Sequence, residues 1–270
     1  MQASHDSQES AEGSQGSSVA LGAAPAASQG SSVEYELSQE DVGPHRTASY
    51  LARLGQNFNA AGVGFFLSIV RTNPGLALPH LSLPDISRVN WEVLYQAGFR
   101  AVVFDKDNTL TEPFAPQVAP QLQASLQRCK DVFGATAVGL YSNSAGLEQY
   151  DPQGVEAAAM EAVLGMRVLR HKDKKPAGAV HELETQLCCR AQHMVFVGDR
   201  YLTDVVFGNR HGMLTIRPAP LVLAGEPLGV VLARRVEEAF VQRWTSRGVS
   251  PPSHPLVPDA AYNRFVLAQA

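Results

Sequence analysis

From Phe99 onward, the chain repeats a pattern of short apolar runs, each followed by a polar residue at which the run stops. Nearly continuous apolar runs of this length predict β-strands that are buried on both faces. We place these strands at Ala101–Asp105, Thr136–Ser142, Met166–Arg170, Met194–Asp199 and Leu214–Arg217.

The stretches between the apolar runs have helical patterns. Strands that alternate with helices predict a parallel sheet covered on both faces, so the fold class is α/β, a Rossmann-like three-layer sandwich. The helices are predicted near Pro120–Val132, Val155–Val163, Ala177–Cys188 and Thr203–Gly208, with a later one at about Val230–Trp244.

Two acidic residues follow the first predicted strand. Asp105 and Asp107 are two positions apart, so in extended chain both side chains point the same way. Two carboxylates at such a short distance repel each other unless a positive charge lies between them. Mg²⁺ meets this need, since it favours oxygen ligands with substrate phosphate completing the shell. Ligand sites of parallel sheets lie beyond the carboxyl ends of the strands, which brings Asp105, Ser142 and Asp199 to one edge.

The chain before the sheet divides into two stretches. Residues 1–45 are rich in Ser, Ala, Gln and Gly, and we predict that they are disordered because they cannot bury enough apolar surface. Residues 46–98 hold an apolar helix within Leu51–Val70 and a Pro-rich lead-in that favours extended chain. The helix either packs on the core or contacts a membrane surface. Its apolar run Ala60–Val70 has 11 residues, and a spanning helix needs about 20, so no transmembrane span is expected.

Charge is unevenly distributed along the chain. The formal net charge is −4, but residues 1–41 hold seven of the 26 acidic residues and none of the basic ones. The remainder is therefore mildly basic, which is compatible with an anionic partner or a membrane surface. No pattern of basic and aromatic residues supports a nucleic-acid partner.

Residue spacing excludes several familiar sites. A calcium-binding EF-hand loop that begins at Asp105 needs Gly and Glu where Leu110 and Pro116 stand. No cysteine is followed by arginine at the spacing of the Cys-x5-Arg phosphatases, and no CxxC pair suggests zinc. The GxG at Gly62–Gly64 lacks the third glycine of a dinucleotide site.

Three weaker signals each have an ordinary structural explanation. A serine at a strand end, such as Ser142, is usually a turn residue or a helix cap. The bases Lys172, Lys174 and Lys175 often form only a solvated face. Pro176 predicts the first turn of the next helix, with Lys175 at its N-terminal end. The aspartates after the fourth strand can serve as helix caps.

Together and in this order, however, the signals form a known pattern. D-x-D-x-T beginning at Asp105, then Ser142, Lys175, and G-D-x4-D beginning at Gly198, each after an apolar strand, resemble the haloacid dehalogenase-type (HAD) phosphatase superfamily. The resemblance covers about residues 99–218. It implies a HAD-like form of the α/β sandwich.

The resemblance also implies roles for the acidic residues. Asp105 would be the nucleophile that carries the phosphoryl group as an aspartyl-phosphate. Asp107 would act as general acid and then as general base. Mg²⁺ would be held by Asp105, Asp199 and the backbone carbonyl of Asp107, with Asp204 supporting the metal or the lysine.

The phosphate-binding residues implied by the resemblance are Ser142, Asn143 and Lys175. Lys174 is an adjacent alternative to Lys175. The two gaps that could hold a cap domain have 34 residues before Ser142 and 32 after it, and a helix and a strand fill most of each. We therefore expect a capless protein with an open site, which suits a large or membrane-held phosphomonoester better than a small sugar phosphate.

Three longer stretches narrow the resemblance. "FDKDNTLTEP", "HKDKKPAG" and "VGDRYLTDVVFGNRHG" are similar to the mitochondrial phosphatidylglycerophosphatase family, over about residues 56–220. That family converts phosphatidylglycerophosphate (PGP) to phosphatidylglycerol in cardiolipin biosynthesis. The resemblance implies an anionic phospholipid substrate at a membrane surface, with the protein on the matrix side of the mitochondrial inner membrane or in a plastid.

Two other functions remain open. The same chemistry could act on a soluble or protein phosphomonoester, or the chain could be a non-catalytic HAD scaffold. We divide the chain into the two N-terminal stretches, a catalytic core at residues 99–224, and a C-terminal helix and tail at 225–270 that carry no chemical signal.

Overall fold

The computed structural model of the protein describes residues 68, 72–224, 226 and 228–268. The stretch predicted to be disordered, and the apolar helix within Leu51–Val70 apart from Ser68, lie outside these residues. The described residues belong to one compact unit. None of the helices among them combines the length and the apolar character that crossing a bilayer requires.

A single sheet of six strands runs through the described part of the chain. The strands are β1 (Leu81–Leu83), β2 (Ala101–Phe104), β3 (Val138–Leu140), β4 (Arg167–Val168), β5 (Met194–Val197) and β6 (Leu214–Pro218). Their order across the sheet is β1-β6-β5-β2-β3-β4, and every neighbouring pair is parallel. The strand that leads into the acidic motif, β2, therefore lies in the middle, between β5 and β3.

The two faces of the sheet contact different apolar clusters. Alternate residues of a strand point to opposite faces. In β2, Val102 and Phe104 join one cluster, whereas Ala101 and Val103 join the other, and all four are fully buried. This arrangement confirms the predicted three-layer α/β sandwich with a parallel sheet.

Helices supply the outer layers of the sandwich. They are α1 (Trp91–Gln96), α2 (Gln123–Phe133), α3 (Val155–Leu164), α4 (Val180–Leu187), α5 (Val206–Arg210) and α6 (Leu228–Ser246). Apolar residues of α1, α2 and α3 pack on the first face, and those of α4 and α5 pack on the second. Helix α6 packs through Val241 and Trp244 on a third cluster that includes Tyr201.

All five strands predicted from the apolar runs are present. Four of them are shorter than predicted: the polar residue that ends each run lies beyond the strand at the carboxyl edge, and β3 and β4 also begin one or two residues later. The residues from Asp107 to Lys175 form α2, β3, α3, β4, two short 3₁₀ turns and the connecting loops, so no cap domain is inserted there.

The Pro-rich lead-in contains two elements that the pattern did not predict. Strand β1 adds to the sheet beside β6, with Leu81 paired to Ile216. Helix α1 begins after Asn90, whose side-chain oxygen accepts the N–H of Val93 at 3.2 Å. The expected extended chain is correct only for β1, because 3₁₀ turns at Pro74–Ala77 and Ile86–Arg88 flank it.

Candidate active site

The loop after β2 places Asp105 at the carboxyl edge of the sheet. Its N–H donates to the Val197 carbonyl oxygen at 2.8 Å, so the pairing with β5 continues one residue beyond β2. Its carboxylate Oδ1 lies 2.5 Å from Lys175 Nζ, and the Asp105 side chain is 16% exposed. The nucleophile expected from the sequence is therefore rigidly held and still open to the edge.

Lys175 reaches Asp105 from a turn. The Lys174 carbonyl oxygen first closes a turn with the N–H groups that follow Pro176, so helix α4 begins only at Val180. The expectation that Pro176 opens this helix and puts Lys175 at its N-terminal end is wrong. The Lys175 N–H donates instead to Asn143 Oδ1 at 2.9 Å, which fixes the lysine backbone.

The ammonium group of Lys175 bridges two carboxylates. Nζ lies 2.5 Å from Asp105 Oδ1 and 2.7 Å from Asp204 Oδ1, and the Lys175 side chain is almost completely buried. The rings of Tyr141 and Phe196 lie 5.6 and 5.5 Å from Nζ. Burial lowers the pKa of Lys175, but the two carboxylates outweigh it and hold the pKa above its usual value. Lys175 is thus a permanent cation at the edge of the sheet.

Lys174, the alternative lysine, lies elsewhere. Its Nζ donates to the Tyr150 hydroxyl at 2.7 Å and lies 4.4 Å from the centre of the Tyr150 ring. Of the two lysines, Lys175 is the one that contacts Asp105.

Asp204 approaches the site from a π-helical turn at Tyr201–Val205. Its Oδ2 accepts the N–H of Arg200 at 3.1 Å. Gly198 makes this approach possible, because a Cβ at position 198 would lie only 2.5 Å from the Asp204 Cβ. The glycine before Asp199 is therefore required by the packing of Asp204.

Asp199 completes an acidic cluster. Its N–H donates to Thr109 Oγ1 at 3.1 Å, which ties the end of β5 to the loop after β2. Its Oδ2 lies 2.6 Å from Arg234 Nη1 of helix α6. Asp105, Asp199 and Asp204 each place one carboxylate oxygen within 4.8 Å of the other two.

Burial and mutual repulsion change the acidity of this cluster. Burial raises the pKa of Asp105 to about 7, with Lys175 opposing and Asp204 and Asp199 adding to the rise. Burial also raises the pKa of Asp199 to about 6, although Arg234 opposes it. The neighbouring cations do not fully offset these effects, so a further cation would stabilise the ionised carboxylates.

The cluster fits a divalent cation. Asp199 Oδ2 and Asp204 Oδ1 are fully buried, and each has a basic nitrogen within 2.7 Å. The three carboxylates of the cluster contact two cations, Lys175 and Arg234, and so carry one negative charge more than these contacts supply. A buried negative charge without a matching cation is costly, and carboxylate oxygens are the ligands that Mg²⁺ prefers.

The Asp107 carboxylate lies outside the acidic cluster. Its Oδ1 accepts from Lys106 Nζ at 2.7 Å and from the Phe114 N–H at 3.4 Å, and the side chain is 30% exposed. This accessible position suits a group that exchanges protons with a substrate. A metal-ligand role for its backbone carbonyl stays a prediction.

Ser142 and Asn143 follow β3 at the same edge. The Ser142 Oγ lies 3.0 Å from Ser144 Oγ and accepts the Ser144 N–H at 3.3 Å, so it stabilises a turn. Asn143 holds the Lys175 backbone as described above. The phosphate-binding roles of both residues stay predictions.

Four residues beside the site carried no role in the sequence analysis: Lys106, Thr109, Glu226 and Arg234. Thr109 had a local signal, since it is the threonine of D-x-D-x-T. Glu226 and Arg234 had none, because they lie beyond the last motif and reach the site only when α6 packs on the domain.

Comparison with known proteins identifies a matching family. A family model described as mitochondrial PGP phosphatase matches residues 64–221. The chloroplastic phosphatidylglycerophosphate phosphatase 1 of Chlamydomonas reinhardtii is 59% identical over 222 residues, which are 82% of each chain. No solved structure gives a significant match.

Two further relatives are more distant. Phosphatidylglycerophosphate phosphatase 1 of Arabidopsis thaliana, named chloroplastic/mitochondrial, is 46% identical over 78% of this chain and 61% of its own length. The probable mitochondrial phosphatidylglycerophosphatase of Schizosaccharomyces pombe is 31% identical over 57% of this chain and 79% of its own. Since the family model spans more than half of the sequence, the chain belongs to the mitochondrial PGP phosphatase family.

Proposed function

We propose that the protein is a Mg²⁺-dependent phosphatase that hydrolyses PGP to phosphatidylglycerol and phosphate. One observation carries the proposal: Lys175 and the carboxylates of Asp105, Asp199 and Asp204 meet at the carboxyl edge of the sheet, although they are far apart in sequence. The names of the relatives supply the substrate.

Asp105 is the nucleophile in this proposal. One carboxylate oxygen attacks phosphorus, the bond from phosphorus to the lipid oxygen breaks, and an aspartyl-phosphate forms. A carboxylate with a pKa of about 7 is only partly ionised near neutral pH, so the site must favour its ionised form. Mg²⁺ held by Asp105, Asp199 and Asp204 would supply positive charge that stabilises the ionised Asp105 carboxylate and the oxygens of the phosphoryl group.

Asp107 moves the protons. Its partly exposed carboxyl group protonates the departing lipid oxygen, and the resulting carboxylate then takes a proton from the water that hydrolyses the aspartyl-phosphate. Lys106 donates to the same carboxylate at 2.7 Å and keeps it oriented. Lys175 and the Ser142 hydroxyl bind the oxygens of the transferred group.

The open edge supports a substrate that remains in a membrane. No cap domain lies between Asp107 and Lys175, and Phe114, whose N–H contacts Asp107, is 41% exposed. A partly exposed aromatic residue whose backbone adjoins the proposed catalytic acid suits a site near a lipid surface. Because the relatives are named chloroplastic or mitochondrial, we place the protein in one of these organelles, at a membrane surface.

A substrate comparison tests the proposal. The purified protein is incubated with PGP in mixed micelles and with a panel of soluble phosphomonoesters and phosphopeptides, and released phosphate is measured. We expect a clear preference for PGP that EDTA abolishes and added Mg²⁺ restores. Asp105→Asn should be inactive, and Asp107→Asn should accumulate labelled phospho-protein.

Each alternative function predicts a distinct result in this experiment. Preference for a soluble compound or a phosphopeptide would assign the same chemistry to another substrate. Full activity after metal removal would contradict the metal role. A wild-type protein that turns over none of the compounds, while Asp105→Asn still supports growth of cells lacking the native gene, would identify a scaffold.

A further inference from the structure

Helix α6 inserts an arginine into the acidic cluster. Arg234 Nη1 lies 2.6 Å from Asp199 Oδ2, and the Arg234 side chain is 14% exposed. The match to the family ends at residue 221, so Arg234 lies in a part of the chain beyond the matched region.

Glu226 orients this arginine. Its two carboxylate oxygens accept from Arg234 Nε at 3.1 and 2.9 Å, and Oε1 also accepts from Nη2 at 2.8 Å. Glu226 is nearly buried, with 6% of its side chain exposed. Several hydrogen bonds of this kind hold the planar guanidinium in one orientation. The nitrogen that remains on the other side of the fork, Nη1, is thereby aimed at Asp199.

The same glutamate also reaches the catalytic loop. Glu226 Oε1 accepts a hydrogen bond from Nδ2 of Asn108 at 2.8 Å. Asn108 directly follows Asp107 in the chain. The Asn108 side-chain oxygen in turn accepts the Val222 N–H at 2.9 Å. A continuous buried network therefore runs from the loop after β2, through Glu226 and Arg234, to Asp199.

Two effects of Arg234 on a cation site oppose each other. Its positive charge repels a cation, whereas its contact with one oxygen of Asp199 fixes the carboxylate and leaves the second oxygen oriented. The carboxylate of Glu226 lies against the guanidinium and offsets much of the repulsion. Groups that orient metal ligands in this way change metal affinity by about 10- to 100-fold when they are removed.

We propose that Arg234 is a positioning residue, held by Glu226, that fixes the Asp199 carboxylate for binding of a divalent cation. The inference rests on the proposed function only in taking Asp199 as a metal ligand. It makes α6 a part of the active site, since the orientation of one ligand depends on a residue of this helix.

Calorimetric titration with MgCl₂, without substrate, tests the proposal. Arg234→Gln should weaken Mg²⁺ binding by about 10- to 100-fold, and excess Mg²⁺ should restore much of kcat with the KM for lipid unchanged. Arg234→Lys should remain weak, because an ammonium group cannot reproduce the fork that Glu226 binds. The exposed neighbour Arg235 gives the matched control, and Arg235→Gln should bind Mg²⁺ like the wild type.

A second variant keeps the test decisive if Arg234→Gln does not fold. Glu226→Gln retains an oxygen that can accept from Asn108 but removes the charge that offsets Arg234, so Mg²⁺ affinity should again fall. Circular dichroism without Mg²⁺ verifies folding of each variant.

Three results would overturn the proposal. Unchanged or tighter Mg²⁺ binding in the folded variants would show that Arg234 does not orient Asp199. A raised KM for lipid with unchanged Mg²⁺ affinity would make Arg234 a substrate-binding residue. If the wild type itself bound no Mg²⁺, the proposed metal site would fail as well, whereas normal wild-type binding with unaffected variants would remove this inference alone.

Discussion

The individual residues of the site depend on one another through charge. Lys175 is the shared cation of Asp105 and Asp204, whereas the Nζ of the adjacent Lys174 is engaged by Tyr150. Removing one member of such a buried group leaves the others uncompensated, which is far more harmful than losing a surface pair.

Lys175→Met, which keeps the length of the side chain, should abolish phosphate release. It should also destabilise the protein by about 3–5 kcal/mol in urea unfolding, because Asp105 and Asp204 lose their common cation. Lys174→Met is the matched control and should retain most activity. The opposite result, with Lys174 essential and Lys175 dispensable, would contradict the arrangement of the site.

Gly198→Ala tests the close approach of Asp204. The added methyl group would lie 2.5 Å from the Asp204 Cβ, so the π-helical turn must shift. We expect a loss of about 1–3 kcal/mol in thermal or urea unfolding, together with a lower kcat. Gly229→Ala is the control, since a Cβ there contacts nothing within 4 Å. That helical glycine should tolerate alanine or gain up to about 1 kcal/mol.

At the scale of elements, helix α6 is held against the domain by an apolar contact and by an ion pair. Val241 and Trp244 pack on the cluster around Tyr201, and Glu237 Oε1 lies 2.6 Å from Arg200 Nη2, next to Asp199. Both contacts hold α6 against the segment that carries the acidic residues. The helix therefore stabilises the site as well as the fold.

Trp244→Ala should weaken this docking. Trp244 is 6% exposed, and removing a buried tryptophan costs about 3–5 kcal/mol. Urea unfolding measures the loss, and phosphatase assays at limiting Mg²⁺ should show a larger defect than assays at saturating Mg²⁺. Arg243→Ala, on the exposed side of the same turn, should change stability by no more than about 0.5 kcal/mol. Equal effects of the two variants would refute the anchoring role of Trp244.

At the scale of the whole molecule, distant stretches are joined around two buried histidines. His80 lies with Nδ1 2.8 Å from Thr215 Oγ1 and Nε2 3.0 Å from the Pro252 carbonyl oxygen. The ring of His254 lies 5.8 Å away. Burial lowers the pKa of both histidines to about 4, and for His80 the neighbouring His254 contributes to this lowering.

These histidines predict a loss of stability in acid. The folded protein keeps them neutral, whereas the unfolded chain binds protons at an ordinary pKa near 6.5. Their contribution is fully present above about pH 6.5 and is lost as the pH falls from there toward 4. Each histidine should lower the free energy of unfolding at pH 5 by roughly 1–2 kcal/mol, since one pKa unit corresponds to about 1.4 kcal/mol.

The acidic cluster has the opposite effect on the pH dependence of stability, because the raised pKa of Asp105 favours the folded state as the pH falls. The test is therefore a comparison. The free energy of unfolding is measured at pH 7.5 and pH 5 for the wild type and for His80→Gln. The variant should lose less stability between the two pH values, and an identical change in both proteins would rule out the histidine contribution.

The sequence alone determined the parallel sheet and the order along the chain of the motifs that form the candidate site. This was possible because burial on both faces requires apolar runs, and because the carboxyl ends of parallel strands meet at one edge. Asp105, Ser142 and Asp199 could thus be assigned to one edge from local patterns, whereas the role of Lys175 came from the family resemblance. The position of α4 was misjudged, since the hydrogen bonds of the turn after Lys174 have no distinct sequence signal.

Only the tertiary structure decided which side chains complete the site. Arg234 lies 35 positions after Asp199 on an ordinary amphipathic helix, and the apolar spacing of α6 says that one face is buried but not against what. Glu226 and Asn108 are likewise joined by packing. Contacts of this kind depend on how a helix docks, which is set by the sum of many weak apolar contacts, so no local pattern records them.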